Sequence, residues 1–270
     1  MPEGHTLHRL ARLHQRRYGG KIVRVTSPQG RFGPAASIVD NRTLLRAEAH
    51  GKHLLHDFGP DAVVHVHLGL YGSFAEAPLP VTEPVGQVRM RIVGPTHFAD
   101  LRGPTRCELL TGAEVTALHA RLGADPLRKD ADPARSWARL SRSRVPIAQL
   151  LLDQAVVSGV GNVYRAELLF RHRIPPLREA RRIDHDLWSA LWADLVSLMR
   201  AGLRTGRIDT VRPEHEPAAM GRPPRQDRHG GEVYVYRRAG MPCLVCGTAV
   251  AAAVLAGRNL YWCPNCQAGD

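Results

Sequence analysis

The chain has 270 residues, enough for one to three compact domains, and 44% of them are apolar, which excludes a wholly disordered or collagen-like protein. The apolar stretch at 248–257 is too short to cross a bilayer. Glu3, His5 and His8 stand where a signal peptide needs apolar residues. We therefore expect neither a membrane protein nor a secreted protein.

The formal net charge is +12, from 37 basic and 25 acidic residues. A basic excess of this size favours a polyanionic partner such as nucleic acid, because neutralising phosphates releases counterions. A basic enzyme without such a partner is the alternative. Three of the basic residues are lysines, namely Lys21, Lys52 and Lys129.

The N-terminal part of the chain predicts one helix followed by short strands. Apolar residues recur at helical spacing within 6–18, and two glycines at 19–20 end that helix. From 21 to 110, short apolar runs separated by Gly, Pro and Asp predict a β-sandwich or a barrel. The clearest runs are 22–25, 54–58, 63–68 and 88–93.

The C-terminal part is predicted to be helical as far as residue 203. Residues 124–133 are typical of a linker, and the stretch 204–235 is rich in Arg, Pro and Gly with little periodicity. We expect this stretch to be a mobile loop that orders on a partner, although its charges also suit a solvated surface. The predicted helices are 134–140, 146–156, 162–172 and 184–203.

Four cysteines near the C-terminus form two Cys-x-x-Cys pairs separated by 16 residues. Each pair presents two thiolates from a tight turn, and four thiolates complete the tetrahedral shell of one Zn²⁺. Such a shell leaves no position for substrate, so the ion is predicted to be structural; two disulfides are the alternative. Cys107 is expected to be an inert buried thiol. The predicted ligands are Cys243, Cys246, Cys263 and Cys266.

Two further segments favour contacts with phosphate. Residues 248–261 are long enough for a β-hairpin with Arg258 at its tip, where a guanidinium can grip a phosphate; an ordinary turn arginine is the alternative. In 150–167, two apolar helices flank a glycine-rich turn, and Asn162 opens a helix whose N-terminus can bind an anion. An ordinary helical hairpin has the same spacing.

The N-terminus carries a potential nucleophile. Removal of Met1 would leave Pro2 with a free secondary amine, which can attack an aldehydic carbon and form an iminium. The positive end of the following helix disfavours the protonated amine, and the Glu3 carboxylate offers a proton donor or acceptor. An unremarkable helix start is the alternative.

Together these features resemble the formamidopyrimidine-DNA glycosylase/endonuclease VIII family, and most of all its actinobacterial endonuclease VIII-like branch. The motifs occur in the family's order and span nearly the whole chain. They are Pro-Glu-Gly at 2–4, Gly-Lys-His-Leu-Leu at 51–55, His-Leu-Gly-Leu-Tyr-Gly at 67–72, Asp-Gln and Gly-Val-Gly-Asn within 153–162, and the four terminal cysteines.

The resemblance implies an α+β multidomain fold. An N-terminal helix with an antiparallel β-sandwich would occupy 1–123, a helix-two-turn-helix DNA-binding domain 134–210, and a Cys₄ zinc-finger β-hairpin 234–270. Residues 124–133 and 211–233 would be linkers or loops.

The resemblance further implies a bifunctional DNA glycosylase and abasic-site lyase of base excision repair, which removes oxidised bases, pyrimidines above all, and nicks DNA by β,δ-elimination. Pro2 would attack C1′ of the damaged nucleotide and form a Schiff base, with Glu3 as general acid. Lys52 would contact phosphate and assist proton transfer in β-elimination. Arg258 would bind phosphate and assist δ-elimination.

Five residues are expected to bind DNA. Leu70 and Tyr71 match the family's wedge, which fills the stack vacated by a flipped nucleotide; a hairpin packed on the core is the alternative. Arg102 would face the orphaned base. Asn162 would hold the backbone beside the lesion, and Arg121 matches another DNA contact.

Several residues depart from the family's pattern. Thr6 stands where many members have a second glutamate important for base excision, which puts the strength of the glycosylase in doubt. Gly69 replaces a polar wedge residue, and Gly103 follows Arg102 where many relatives have an aromatic residue. His65 and His67, on one strand face, are expected to be structural rather than metal ligands.

The expected partner is damaged DNA, with duplex, single-stranded and bubble DNA all left open, bound by a cytoplasmic, nucleoid-associated monomer. Two other functions share the charge and the finger. One is a lesion- or nucleic-acid-binding zinc protein without catalysis, and the other is an RNA- or ribosome-binding zinc protein. Neither of them requires the pair of Pro2 and Glu3.

Overall fold

The computed structural model describes residues 2–227 and 231–269, and its contacts divide the chain into two compact units, Met1–Arg121 and Leu122–Asp270. None of the helices in the described part of the chain has the length and apolar character needed to cross a bilayer. The helices are α1 (Gly4–Tyr18), α2 (Gly33–Val39), α3 (Gly112–Arg121), α4 (Pro133–Leu140), α5 (Ile147–Leu150), α6 (Asn162–Arg171) and α7 (His185–Thr205). The strands are β1 (Lys21–Thr26), β2 (Arg42–Leu44), β3 (Arg46–His50), β4 (His53–Asp57), β5 (Val63–His67), β6 (Ser73–Pro78), β7 (Val88–Val93), β8 (His97–Arg102), β9 (Arg106–Leu110), β10 (Ala251–Leu255) and β11 (Arg258–Trp262).

The first unit contains two antiparallel sheets that share one hydrophobic core. One sheet has the strand order β2-β1-β7-β8-β6 and the other has the order β3-β4-β5-β9. Alternating residues such as Leu54, Val64 and Ile92 are fully buried in this core, as expected for sheets with one face inward. The predicted sandwich is confirmed, and the four clearest strand predictions correspond to β1, β4, β5 and β7.

Helix α1 packs on β3 and β4 and ends where the sequence predicts. Leu7, Ala11, His14 and Tyr18 form its buried stripe, with the three- and four-residue spacing of one helix face. Gly20 follows with φ 72°, a left-handed conformation that glycine adopts without strain. The helix therefore holds its N-terminal residues at a fixed place on the sandwich.

The predicted helix at 146–156 is wrong beyond its first turn. The observed helix α5 ends at Leu150. The Asp153 carboxylate accepts from the backbone N–H of Ala155, and the Gln154 side chain bonds to the backbone of Leu152, Gly159 and Val160. Polar side chains that bond to nearby backbone compete with the helix, and here they build the turn that leads into α6.

The two ends of the stretch 204–235 are buried in the second unit, whereas the composition predicts a mobile loop throughout; the mobility of the residues between these ends stays a prediction. Ile208 and Thr210 near its start, and Val233 to Tyr236 at its end, are buried. Both parts are held by Glu167 of α6, which is fully buried: its carboxylate accepts from Thr210 Oγ1 at 2.6 Å and from three backbone N–H groups, those of 234–236, at 2.6–2.8 Å. Residues 228–230, which belong to the predicted loop, lie outside the described residues.

The zinc-finger hairpin shares its core with the helices of the second unit. Leu260, Tyr261 and Cys263 belong to the same buried cluster as Leu168 of α6 and Leu195 of α7. Contacts group 122–270 as one unit. The finer boundaries, 1–123, 134–210 and 234–270, stay a prediction.

The Glu167 contacts give the first prediction. Replacing Glu167 with Gln should lower the free energy of unfolding by about 3 kcal/mol, because an amide nitrogen then faces buried N–H donors. Urea denaturation measures the loss, and hydrogen exchange at 233–236 should accelerate. Glu214→Gln, at a side chain that is 61% exposed, is the matched control with little effect. Equal stabilities of the two variants would contradict this account.

Candidate functional site

The N-terminal residues lie at the first turn of α1. Pro2 is half-buried and directly precedes the helix cap, Glu3, whose side chain is fully buried. The Glu3 backbone carbonyl accepts from Thr6 N at 2.9 Å, which fixes the start of the helix. The structure therefore places the predicted nucleophile and a carboxyl group side by side at the positive end of a helix.

His5, in the same turn, adds no positive charge to this site at neutral pH. Its side chain is 5% exposed, and burial, with Arg9 and His8 nearby, lowers its pKa to about 4. The neutral imidazole therefore adds no positive charge near the Pro2 amine.

Lys52 occupies the tight turn between β3 and β4. Gly51 adopts φ 57°, and the turn is closed by the cross-strand pair of His50 and His53. Lys52 is partly buried, and its charge reaches His67 of β5, whose pKa is lowered first by burial and then by His65, Lys52 and Arg106. The predicted catalytic lysine thus stands beside histidines of the neighbouring strands.

The predicted wedge lies at an exposed turn between β5 and β6. Tyr71 is 88% exposed and Leu70 is 54% exposed, so the alternative of a hairpin packed on the core is wrong for these side chains. Gly69 has φ 67°, and any Cβ there would collide with the Thr105 side chain. This crowding is a physical reason for the departure at Gly69.

Arg102 lies at the end of β8, close to the wedge turn, since a Cβ on Gly103 would lie 3.5 Å from the Tyr71 carbonyl oxygen. Its guanidinium donates to the Val85 carbonyl and to the Asp100 carboxylate, both at 2.9 Å. These bonds hold the arginine in a defined orientation beside the wedge. Arg121 is exposed at the end of α3.

A row of histidines on the sheet β3-β4-β5-β9 was missed by sequence reasoning as a group. His53 Nδ1 lies 2.8 Å from His65 Nε2, and His65 Nδ1 lies 2.9 Å from Glu108 Oε1. The His67 ring is 5.0 Å from the His53 ring. The signal in the sequence was His, Glu and Lys at alternate positions of adjacent strands, but the strand register needed to combine them is not visible there.

In the second unit, the start of α6 contacts the zinc-finger hairpin. Asn162 Nδ2 donates to the Asn259 carbonyl at 2.9 Å, and Arg165 Nη2 donates to the same carbonyl at 2.6 Å and also to Asn162 Oδ1. The structure thus brings two predicted site residues together, because Asn259 directly follows Arg258. The sequence did not predict the role of Arg165 in this contact, because an arginine within a helix is usually exposed on the surface.

Arg258 follows the two-residue turn of the hairpin. Ala256 and Gly257 have φ of 48° and 72°, as the tight turns of two-residue hairpins require, and Leu255 pairs with Arg258. The Arg258 side chain is exposed. The contacts at Asn259 therefore hold the base of an exposed cation.

The four terminal cysteines converge on one point. All four Sγ atoms lie within 4.8 Å of one another, with Cys246–Cys263 at 3.5 Å and Cys243–Cys266 at 3.9 Å. These distances are too long for disulfides and fit tetrahedral Zn–S bonds, which separate sulfurs by about 3.8 Å. In the described ranges this is the one group of His, Cys, Asp or Glu with this convergence, and it is a structural zinc site.

Cys107, in β9, is not part of this group. Burial raises the pKa of its thiol to about 12. The thiol is therefore protonated at neutral pH, as expected of an inert side chain, although Cys107 is half-buried and not fully buried as predicted.

Comparison with known proteins finds three family domains in this chain. The formamidopyrimidine-DNA glycosylase N-terminal domain matches residues 1–107, the formamidopyrimidine-DNA glycosylase H2TH domain matches 122–213, and a zinc finger found in FPG and IleRS matches 240–269. "Endonuclease 8 1" of Mycobacterium tuberculosis H37Rv is 57% identical over 271 residues, covering 99% of this chain and all of that protein.

Two further proteins extend the comparison. The formamidopyrimidine-DNA glycosylase of Thermus thermophilus is 33% identical over 86% of this chain and 85% of its own, and the crystal structure of MutM (Fpg) from that organism has a TM-score of 0.76 at 28% identity, covering both chains fully. The formamidopyrimidine-DNA glycosylase of Lactococcus lactis, bound to DNA with an abasic site, has a TM-score of 0.77 at 22% identity and covers 99% of this chain and 100% of that one.

Removal of zinc should unfold the hairpin of β10 and β11. The four thiolates would lose their common partner, and Leu260 and Tyr261 would leave the core of the second unit. The total tryptophan fluorescence, to which Trp262 in β11 contributes, reports the change during titration with a chelator. Cys263→Ser should lower the zinc content below one ion per chain, whereas Cys107→Ser should bind zinc normally. Unchanged tryptophan fluorescence in metal-free protein would contradict this.

The buried histidines of the first unit should make it acid-labile. The pKa of His5 is about 4 in the folded protein, and burial, then His14, holds that of His56 well below its ordinary value. Since the unfolded state binds more protons below pH 6.5, stability falls as the pH drops from 6.5 towards 4. His5 alone should contribute a loss of about 2 kcal/mol between pH 7 and pH 5.

Urea denaturation at both pH values, followed by circular dichroism, measures this loss. His5→Gln should reduce it, whereas His185→Gln, at a side chain that is 70% exposed in the second unit, should not. Stability that rises on acidification would contradict the sign of the effect.

Proposed function

The chain belongs to the formamidopyrimidine-DNA glycosylase family, and on this premise we propose that it is an endonuclease VIII-like bifunctional DNA glycosylase and abasic-site lyase of base excision repair. The observation that carries the proposal is the pairing of Pro2 with a fully buried Glu3 at the start of α1. A protein that only binds lesions has no need of a buried carboxyl group beside an N-terminal imino acid.

The reaction begins with the Pro2 amine after removal of Met1. Its lone pair forms a bond to C1′ of the damaged nucleotide, the bond from C1′ to the base breaks, and the base leaves with the electron pair and takes up the proton that the Pro2 nitrogen loses. The Glu3 carboxyl group protonates the sugar oxygen released as the deoxyribose ring opens. The product is an iminium that joins Pro2 to the opened sugar.

Strand cleavage follows from the acidity that the iminium gives to C2′. Loss of a C2′ proton expels the 3′ phosphate, and a second elimination expels the 5′ phosphate; hydrolysis by water then frees Pro2. Lys52, partly buried at its turn, contacts phosphate and assists the first proton transfer. Arg258, exposed after the hairpin turn, binds phosphate and assists the second elimination.

Damaged DNA is the proposed partner. Leu70 and Tyr71 fill the gap left by the flipped nucleotide, Arg102 faces the orphaned base, and Asn162 and Arg121 hold the backbone. The exposure of the wedge supports the first of these roles, and the contacts between Asn162 and the base of Arg258 support a phosphate-binding function for the second unit. Oxidised pyrimidines are the proposed lesions, excised by a monomer in the cytoplasm at the chromosome.

Borohydride trapping on an oligonucleotide with an abasic site tests this function. The protein should form a reduced covalent adduct, mapped by mass spectrometry to Pro2, and protein that retains Met1 should form no adduct there, because the Pro2 nitrogen is then part of an amide and has no nucleophilic lone pair. Glu3→Gln should slow base release by at least about a hundredfold, as expected for loss of a general acid.

Glu114→Gln, an exposed carboxylate in the same unit, is the control and should trap as the wild type does. An adduct on another side chain, or full activity with Met1 retained, would overturn the mechanism. Specific binding of lesion DNA without any adduct would favour a non-catalytic lesion-binding zinc protein instead.

A further inference from the structure

The histidine row lies on one face of the sheet β3-β4-β5-β9, between Lys52 and Glu108. His53 pairs with His67 across β4 and β5, and His65 pairs with Glu108 across β5 and β9. The ring of His53 is 5.0 Å from the rings of both His65 and His67. A cation therefore stands near one end of the row and an anion at the other.

The hydrogen bonds of this row have a direction set by the carboxylate. An ionised carboxylate only accepts, so His65 donates from Nδ1 to Glu108. The neutral His65 ring then has its lone pair on Nε2, and this atom accepts from His53 Nδ1 at 2.8 Å. His53 is left with its own lone pair on Nε2.

The row is uncharged at neutral pH. Burial, followed by His65, His67, His50 and Arg121, lowers the pKa of His53 to about 3. Burial also lowers the pKa of His65, against the opposing effect of Glu108. The charged and titratable groups that face the row are His50 and Glu48 from β3, Lys52 from the turn, His65 and His67 from β5, Arg106 and Glu108 from β9, and His119 and Arg121 from α3.

A metal ion does not explain this arrangement. In residues 2–227 and 231–269, the four cysteines are the one set of three or more candidate ligands whose atoms converge. The row is instead a chain of single donors and acceptors, and its direction places an acceptor at the end nearer to a lysine.

We propose that Glu108 and His65 are positioning residues that act through His53, holding its Nε2 as a proton-free acceptor beside the Lys52 turn so that Lys52 keeps the place required for β-elimination. His53 directly follows Lys52, and the cross-strand partner of His53 is the histidine that the Lys52 charge reaches. His53 is therefore connected to Lys52 both along the chain and through His67, whose ring lies 5.0 Å from its own. This inference rests on the proposed lyase function.

The tautomers can be measured without DNA. In ¹⁵N-histidine-labelled wild-type protein at pH 7, His65 and His53 should both carry the proton on Nδ1. Glu108→Gln should give His53 a mixture of tautomers, because an amide donates as readily as it accepts. Glu108 is 39% exposed, so this variant is expected to fold. A wild-type His53 with its proton on Nε2 would overturn the proposal.

The catalytic test separates the two covalent steps on DNA with an abasic site. Glu108→Gln should slow β-elimination about tenfold and shift its pH profile, because an assisting group loses its orientation. Adduct formation at Pro2 should keep its wild-type rate. Glu114→Gln, which removes one exposed charge from α3, should match the wild type in both steps.

A third variant isolates His53. His53→Asn retains a side-chain N–H in the place of Nδ1 and removes Nε2, so it should slow β-elimination at least as much as Glu108→Gln. The double variant should be no slower than His53→Asn alone, since both act through one atom. The proposal would be overturned if the double variant were slowed by the product of the two single effects. It would also be overturned if the pH profile of β-elimination were the same for Glu108→Gln and Glu114→Gln. If the wild-type protein formed no adduct, the proposed function would be refuted. The tautomer measurement, which needs no DNA, would still decide whether Glu108 orients the histidines.

Discussion

The second unit depends on the hydrogen bonds that buried polar side chains of α6 make to distant segments of the chain. All residues of this helix up to Phe170 are buried, among them Asn162, Arg165 and Glu167. A buried charge or amide is costly unless it is hydrogen-bonded, and each of these three finds backbone groups of segments distant in sequence. One helix thereby fixes both the hairpin that carries Arg258 and the chain at 233–236.

The first unit meets the same constraint with histidines. Glu76 accepts from His14 Nε2 at 3.2 Å, and His14 Nδ1 accepts from His56 at 2.8 Å, which ties α1 to the strands beneath it. Glu108 ends the second row in the same way. In both rows a carboxylate fixes the tautomers of two imidazoles, so that each buried ring has a defined donor and a defined acceptor nitrogen.

These constraints explain how a basic protein with few lysines can place individual cations. Lys52 lies in a two-residue turn, and Arg258 directly follows another. The position of each cation is therefore set by a hairpin turn and not by the many surface arginines. The zinc ion would join the two ends of the hairpin through its four cysteine ligands. The hydrogen bonds to the Asn259 carbonyl hold the hairpin next to Arg258. Precise positions matter more than total charge for the proposed reaction, in which two eliminations follow one another.

The sequence by itself determined what depends on local spacing: the helix at the N-terminus, the main strands, the four zinc ligands, and the motifs that carry the family's site residues. It did not determine what depends on partners far along the chain. Glu108 meets His65 through strand register, Glu167 holds 234–236 across more than 60 residues, and Asp153 and Gln154 end α5 through side-chain bonds to a turn. A buried polar side chain chooses its partner by proximity in three dimensions, and only the tertiary structure supplies that proximity.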